Sequence, residues 1–209
     1  FGKPAMPLAD YHDDVRFSRK VTDGVQSISP KDRSLAVMDA VVNAVGMTTC
    51  LYDYPARTGV SFTAETLDAL ADNPHIQGIK EASGDLSRVA LLTDRYAGRI
   101  QIVCGADADS KYFMDRGVTS WIGGMANALP KAHRGILDDA TREAAYTAVH
   151  PILEYIESGR YIAKTKALLG VLGFQTPNVR GPLLQATDVE VAELERLVAL
   201  AGQWAPRLA

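Results

Sequence analysis

Lys80 closes the apolar run Ile76-Gln77-Gly78-Ile79 and is followed by Glu81-Ala82-Ser83-Gly84-Asp85, the layout of a strand that ends in a polar turn. A lysine so placed sits at the mouth of a sheet or barrel, where loss of water favours the neutral amine, the form that attacks a carbonyl. A lysine beside a turn is more often just solvated, so its company matters. Upstream, Leu51-Tyr52-Asp53-Tyr54-Pro55-Ala56-Arg57-Thr58-Gly59 sets a phenol, Tyr52, and a guanidinium, Arg57, just past a second apolar run. A phenol can pass protons and a guanidinium fork can clamp a carboxylate.

The elements that must carry these groups follow a rhythm. Short β-rich runs over about 24–30, 47–55, 76–82, 100–106 and 118–124 end in polar or Gly residues, and helical periodicity follows each. Near-continuous apolar runs fit strands of a parallel sheet covered by helices. Thr63 reads as an N-cap before Leu67, Leu70 and Ala71, and Leu86, Val89, Ala90 and Leu92 mark the next helix. Asp107 or Asp109 is expected to cap a third helix, which Gly117 stops. After Leu129-Pro130 the strands cease, and helices are expected over about 131–158, 160–173 and 188–202, with Pro151 breaking or kinking the first.

The organisation read from this is five strands of parallel α/β over 1–130 and C-terminal helices over 131–209, with a (β/α)8 barrel as the favoured architecture. An open doubly wound sheet is the competing architecture. No Gly-rich dinucleotide fingerprint opens a helix after the first run, whereas Tyr52, Arg57, Lys80 and Gly105 all fall at or just past separate strand ends, where barrel sites assemble.

Composition narrows the function classes. The 209 residues are 47% hydrophobic and 22% charged, an ordinary globular balance. A net charge of -3 without a Lys/Arg run gives no reason to expect nucleic acid. No apolar stretch approaches the ~20 residues that span a bilayer. Cys50 and Cys104 read as buried small hydrophobes in a reducing cytoplasm, not as a disulfide. His12-Asp13-Asp14 lacks further spaced ligands, and His75, His133 and His150 share no motif, so neither a metal nor a cofactor is expected. Glu81 and Asp85 read as turn and cap residues, and Trp121 and Met125 as packing.

At Tyr52-Asp53-Tyr54-Pro55-Ala56-Arg57-Thr58-Gly59, Gly78-Ile79-Lys80-Glu81, Cys104-Gly105-Ala106-Asp107 and Ile122-Gly123-Gly124-Met125-Ala126-Asn127 the sequence resembles the dihydrodipicolinate synthase/N-acetylneuraminate lyase superfamily. Lys164 to Gly170 and Arg180-Gly181-Pro182-Leu183 look like its closing helices, so the resemblance covers about 20–202. It implies a (β/α)8 TIM barrel with a C-terminal helical extension. It also implies Lys80 as the Schiff-base lysine, Tyr52 as the proton-shuttling phenol and Arg57 as the clamp for the second substrate's carboxylate. Gly105 and Ile122 match positions whose backbone groups surround the bound keto acid. The substrates implied are pyruvate and an aldehyde, and the assembly implied is a homo-oligomer, a tetramer in the family pattern.

Three departures accompany the match. The family's Thr-Thr-Gly-Glu is absent, since Thr48-Thr49 runs into Cys50-Leu51. Ser29-Pro30-Lys31-Asp32 stands where the family has Tyr-Tyr, and Asp53 and Tyr54 replace an Asn and a small apolar residue. Run 24–30 matches the fourth barrel strand, before which three βα units of about 75 residues in all should stand. Only 23 residues precede Gly24, so additional N-terminal strands are expected in the intact protein. The first functional reading is a synthase condensing pyruvate with an aldehyde, of the dihydrodipicolinate-synthase kind. The alternatives are a sibling 2-keto-acid aldolase, dehydratase or deaminase, or an inactive binding homologue.

Overall fold

A computed structural model describes residues 30–175 and 178–207. The run expected as a strand over 24–30 falls, apart from Pro30, outside the described residues, as does His12-Asp13-Asp14. Pro30 itself begins helix α1 (Pro30–Val45), where its fixed φ suits a first turn.

The chain divides into two compact units. One comprises residues up to Ile79 together with Gly98–Ile100, the other Lys80–Ala97 and Gln101–Ala209. In the first, strand β1 (Thr49–Asp53) runs into a short helix, α2 (Pro55–Thr58), and then into α3 (Ala64–Ala71). Thr63 caps α3 as its sequence predicts, accepting the Thr66 N–H at 3.3 Å. Leu51, Leu67, Leu70, Ile76, Ile79 and Ile100 make the core of this unit. Asn73 ties α1 to the turn after α3, its amide donating to Asp39 Oδ1 at 3.1 Å and to Asn43 Oδ1 at 3.0 Å.

Strand β2 (Ile76–Glu81) begins in the first unit and ends in the second. There it is followed by α4 (Leu86–Tyr96), β3 (Gln101–Cys104), α5 (Ser110–Asp115), β4 (Ser120–Trp121) and α6 (Met125–Ala128). The end of β2, β3 and β4 are neighbours in that order, and β3 pairs with β4 in parallel with Val103 opposite Ser120 and Cys104 opposite Trp121. The strands are shorter than the apolar runs. β4 stops at Trp121 because Ile122 to Gly124 turn into α6. Asp109 occupies the N-cap position of α5 without a side-chain cap bond, and Gly117 stops the segment at φ 81°.

The single helix expected over about 131–158 is two, α7 (Pro130–Leu137) and α8 (Arg142–Glu157). The break lies at 138–141 and not at Pro151, which stays inside α8. Asp138 Oδ1 accepts the Ala140 N–H at 3.0 Å, and the Thr141 N–H reaches the Asp138 carbonyl at 3.1 Å. That local turn competes with helical pairing, as aspartate side chains tend to do. Helices α9 (Tyr161–Val171) and α10 (Asp188–Ala201) follow, the second opened by a capping box between Thr187 and Glu190.

The join from α8 to α9 is pinned by Lys164, which is buried. Its ammonium donates to the Tyr155 carbonyl at 2.8 Å and to Ser158 Oγ at 2.9 Å, where the partial negative charge of a helix end is concentrated. Leu129, Ile136, Val149, Ile152, Leu168 and Leu194 fill the helical core. Cys104 is buried as expected, but Cys50 is exposed, because on β1 the alternation that buries Leu51 and Asp53 turns residue 50 to the other face. Neither cysteine is in a disulfide. Among the described residues no helix is long and apolar enough to cross a membrane.

Candidate active site

Three of the five residues singled out by sequence meet at adjacent strand ends in the second unit. The Gly105 N–H donates to the Glu81 carbonyl at 2.8 Å and the Ile122 N–H to the Cys104 carbonyl at 2.9 Å, so Lys80, Gly105 and Ile122 stand side by side across β2, β3 and β4. Lys80 is half-buried, and Ile122 is exposed. A Cβ on residue 105 would lie 2.9 Å from Lys80 Cγ, 2.8 Å from Ala82 Cβ and 2.6 Å from the Glu81 carbonyl oxygen. Glycine here is what gives the aliphatic stem of Lys80 its room.

Strand alternation sends the next residue to the opposite face. Glu81 is 1% exposed and spends its carboxylate on the Ser83 N–H at 2.7 Å and the Arg88 guanidinium at 3.2 Å. Asp85 caps α4 through the Ser87 N–H at 2.9 Å, and its bonds to Ser87 hold its carboxyl below the usual range. Both acids therefore shape the loop after Lys80, as the sequence suggests.

Tyr52 and Arg57 stand in the first unit. Tyr52 projects from β1 with its ring stacked on Tyr54 at 5.5 Å and 22°. Arg57 is exposed on α2, which Gly59 closes in the left-handed region at φ 72°. Asp53, buried, accepts the Phe62 N–H at 3.3 Å and draws the following loop back to β1. Val37, Met38, Tyr52, Asp53, Val60 and Phe62 line a pocket of about 270 Å³ beside the phenol.

The residue that sequence reading missed is Asp107. Its carboxylate is buried and accepts four hydrogen bonds. Trp121 Nε1 reaches Oδ1 at 3.0 Å, and the N–H groups of Gly124 and Met125 and the Tyr161 hydroxyl reach Oδ2 at 3.0, 3.1 and 3.0 Å. The legible signal was the pair Gly123-Gly124. A Cβ on residue 123 would lie 1.7 Å from Asp107 Oδ1, and one on residue 124 would lie 1.9 Å from the Tyr161 hydroxyl. On the other side of the same turn, Glu157 accepts the N–H of Asp107 at 2.8 Å and of Ala108 at 3.3 Å. Desolvation, with the nearby Asp107 charge, pushes the Glu157 carboxyl up despite those two bonds.

His133 stacks on Trp121 at 4.1 Å and 29°, and its Nδ1 is buried without a hydrogen-bond partner among the described residues. Burial holds its pKa below the usual 6.5. The folded state therefore binds this proton more weakly than the unfolded one, so the contribution is present above about 6.5 and is lost as the pH falls below it. His133→Phe keeps the stack and cannot titrate. The unfolding midpoint of the wild type should drop relative to His133→Phe between pH 7 and 5.5, and parallel curves in thermal melts would contradict this.

Among the described residues no group of His, Cys, Asp and Glu could hold a metal ion. Against this geometry, the model of the dihydrodipicolinate synthetase family matches residues 34–201. The chain belongs to the dihydrodipicolinate synthetase family. It is 34% identical over 173 residues to the 4-hydroxy-tetrahydrodipicolinate synthase of Xanthomonas campestris, covering 79% of this chain and 56% of that one. An uncharacterized DapA-like lyase of Halobacterium salinarum is 29% identical, over 86% of this chain and 63% of its own. The chain thus spans a little over half the length of such relatives.

Among solved structures of dihydrodipicolinate synthases, that of the chloride-inhibited Acinetobacter baumannii enzyme complexed with pyruvate superposes with a TM-score of 0.76. It is 25% identical and is matched over 84% of this chain and 62% of its own. The Methylacidiphilum fumariolicum enzyme gives 0.75 at 20% identity, over 84% and 61%. The fold is that of this family of TIM barrels, α/β with parallel strands followed by a C-terminal helical part. The dihydrodipicolinate synthetase family is a family of lyases.

Proposed function

We propose that this chain serves a Schiff-base lyase reaction that joins pyruvate to an aldehyde, with the 4-hydroxy-tetrahydrodipicolinate synthase reaction as the leading case. The observation that carries the reading is the alignment of Lys80, Gly105 and Ile122 across three strand ends. The names of the relatives and the pyruvate complex of the Acinetobacter baumannii enzyme support it.

In this reading the Lys80 amine attacks the keto carbon of pyruvate. A C–N bond forms, water leaves after proton transfer to the carbinol oxygen, and the protonated imine remains. That cation withdraws electrons, so the methyl carbon gives up a proton to form an enamine, which attacks the aldehyde carbon as the aldehyde oxygen takes up a proton. Hydrolysis of the new imine then releases product and restores the amine. Tyr52 moves protons during imine formation and hydrolysis. The N–H and C=O groups around Gly105 and Ile122 seat the keto acid, and Arg57 clamps the carboxylate of the second substrate. Residues 1–130 serve as the C-terminal part of a (β/α)8 barrel and 131–209 as its helical extension, in a cytoplasmic homo-oligomer that takes only small molecules and no cofactor. Tyr54, stacked on Tyr52, favours a second reading in which a sibling lyase takes a different aldehyde or sugar acid.

Borohydride added with pyruvate should leave a reduced three-carbon adduct on the peptide containing Lys80, seen by mass spectrometry. A folded protein that gains no mass would sink the Schiff-base reading. If the adduct forms but aspartate semialdehyde is not consumed, the sibling lyase takes over. Arg57→Ala should raise the KM for the aldehyde roughly ten- to a hundredfold, the loss of a charge-assisted bond, and leave trapping at Lys80 nearly intact. Equal loss of both would make Arg57 structural.

A further inference from the structure

From the four bonds that converge on it, we infer that Asp107 is a positioning residue that sets the Ile122–Met125 turn, and through it the keto-acid seat beside Lys80. The part about the seat rests on the reading in the preceding subsection; the part about the turn does not. Ile122 lies between two segments held by one carboxylate, with Trp121 on Oδ1 before it and Gly124 and Met125 on Oδ2 after it. The same carboxylate is two residues beyond Gly105, whose N–H fixes it to the end of β2. The Asp107 carboxylate thus holds the turn on either side of Ile122, while the Gly105 N–H holds the strand end beside the Lys80 stem.

The donors match the two oxygens of a carboxylate. Three N–H groups and a hydroxyl face the two oxygens, and an ionised carboxylate can accept all of them. The Gly124 and Met125 amides are among the orphan donors at the start of α6, so Asp107 closes from a distance a helix whose own N-cap is a glycine. The Tyr161 hydroxyl is held protonated by burial and by the Asp107 charge, so it remains a donor. Because Tyr161 opens α9, the helical layer reaches the seat through that hydroxyl.

Asp107→Asn keeps the volume but presents an amide N–H₂ to donors on one side. Two measurements on the purified protein test the inference. The first is hydrogen exchange of the peptide covering 118–129, against α8 as a reference; exchange should speed up in the first and not in the second. The second is the pyruvate concentration for half-maximal borohydride trapping at Lys80, expected to rise roughly ten- to a hundredfold, with the saturated trapping rate within about threefold of wild type. Tyr161→Phe, which loses one of the four bonds, should shift both in the same direction by less, and it stands in if Asp107→Asn fails to fold.

Unchanged exchange over 118–129 in a folded variant would overturn the inference. So would faster exchange everywhere, or a loss confined to the saturated rate. A wild type that traps no pyruvate refutes the Schiff-base reading instead, and the exchange measurement then decides whether Asp107 sets the turn.

Discussion

Replacing Lys80 with arginine or alanine should abolish the pyruvate adduct and lower turnover by roughly three orders of magnitude or more, as removal of a covalent nucleophile does. Arginine is the stricter test. It keeps a long stem and a positive charge at the end of β2, but a guanidinium stays protonated and cannot add to a carbonyl. If the positive charge alone served the site, by attracting a carboxylate, Lys80→Arg would bind pyruvate and retain much of its rate. Steady-state turnover, borohydride trapping and a thermal melt read the two cases apart. Because Lys80 is only half-buried, the melt should move little. A Lys80→Arg protein with a tenth or more of wild-type turnover would refute the covalent role.

Gly105→Ala should be nearly as damaging, and for a reason that is steric. The added methyl would meet the Glu81 carbonyl oxygen at 2.6 Å, which is backbone and cannot swing aside, as well as Ala82 Cβ at 2.8 Å and Lys80 Cγ at 2.9 Å. Either β2 and β3 spread, breaking the Gly105 N–H bond to Glu81, or the lysine stem shifts. Overpacking of this kind costs about 1–3 kcal/mol. Even a shift of the lysine by an ångström costs rate, since attack on a carbonyl depends on near-contact geometry. We expect a lower unfolding midpoint together with trapping slowed by roughly a hundredfold. A variant with wild-type trapping and an unchanged melt would show that the strand ends yield freely and that Gly105 gives Lys80 nothing.

How far the sequence reaches can be judged from particular residues. The strand that carries Lys80 was legible because a short apolar run, a charge and a Ser-Gly-Asp turn are all local signals. So was Thr63, whose hydroxyl acts on an N–H only three residues on. Asp107 was not legible as a hub. It looks like a cap before a helix, yet its partners stand at 121, 124, 125 and 161, the last 54 residues away, and only the folded chain brings them together. The glycine pair at 123 and 124 marked a close approach without saying to what. Pro151 does not end the helix, although a proline in a helical pattern usually ends or kinks it. The weaker-looking Asp138-Asp139 did so instead, through a side-chain bond that competes with the helix. Cys50 was read as buried because its neighbours are apolar; a strand's two faces, not its mean hydropathy, decided its exposure.

The contact between residue 124 and Tyr161 has a consequence for how sequences of this kind can diverge. The two positions occupy one volume: a methyl at 124 would fall 1.9 Å from the phenolic oxygen and 2.9 Å from ring carbon Cζ. Removing the hydroxyl alone relieves the first clash and leaves the second, so phenylalanine at 161 is only half a concession. A smaller aliphatic at 161 is what opens room for a side chain at 124. The order of change therefore matters. A lineage that alters 161 first loses one of four bonds to Asp107 but meets no clash there, whereas one that alters 124 first passes through a collision. Substitutions at the two sites should be strongly non-additive in either direction, a coupling that ties the drift of a C-terminal helix to that of a loop at the barrel mouth.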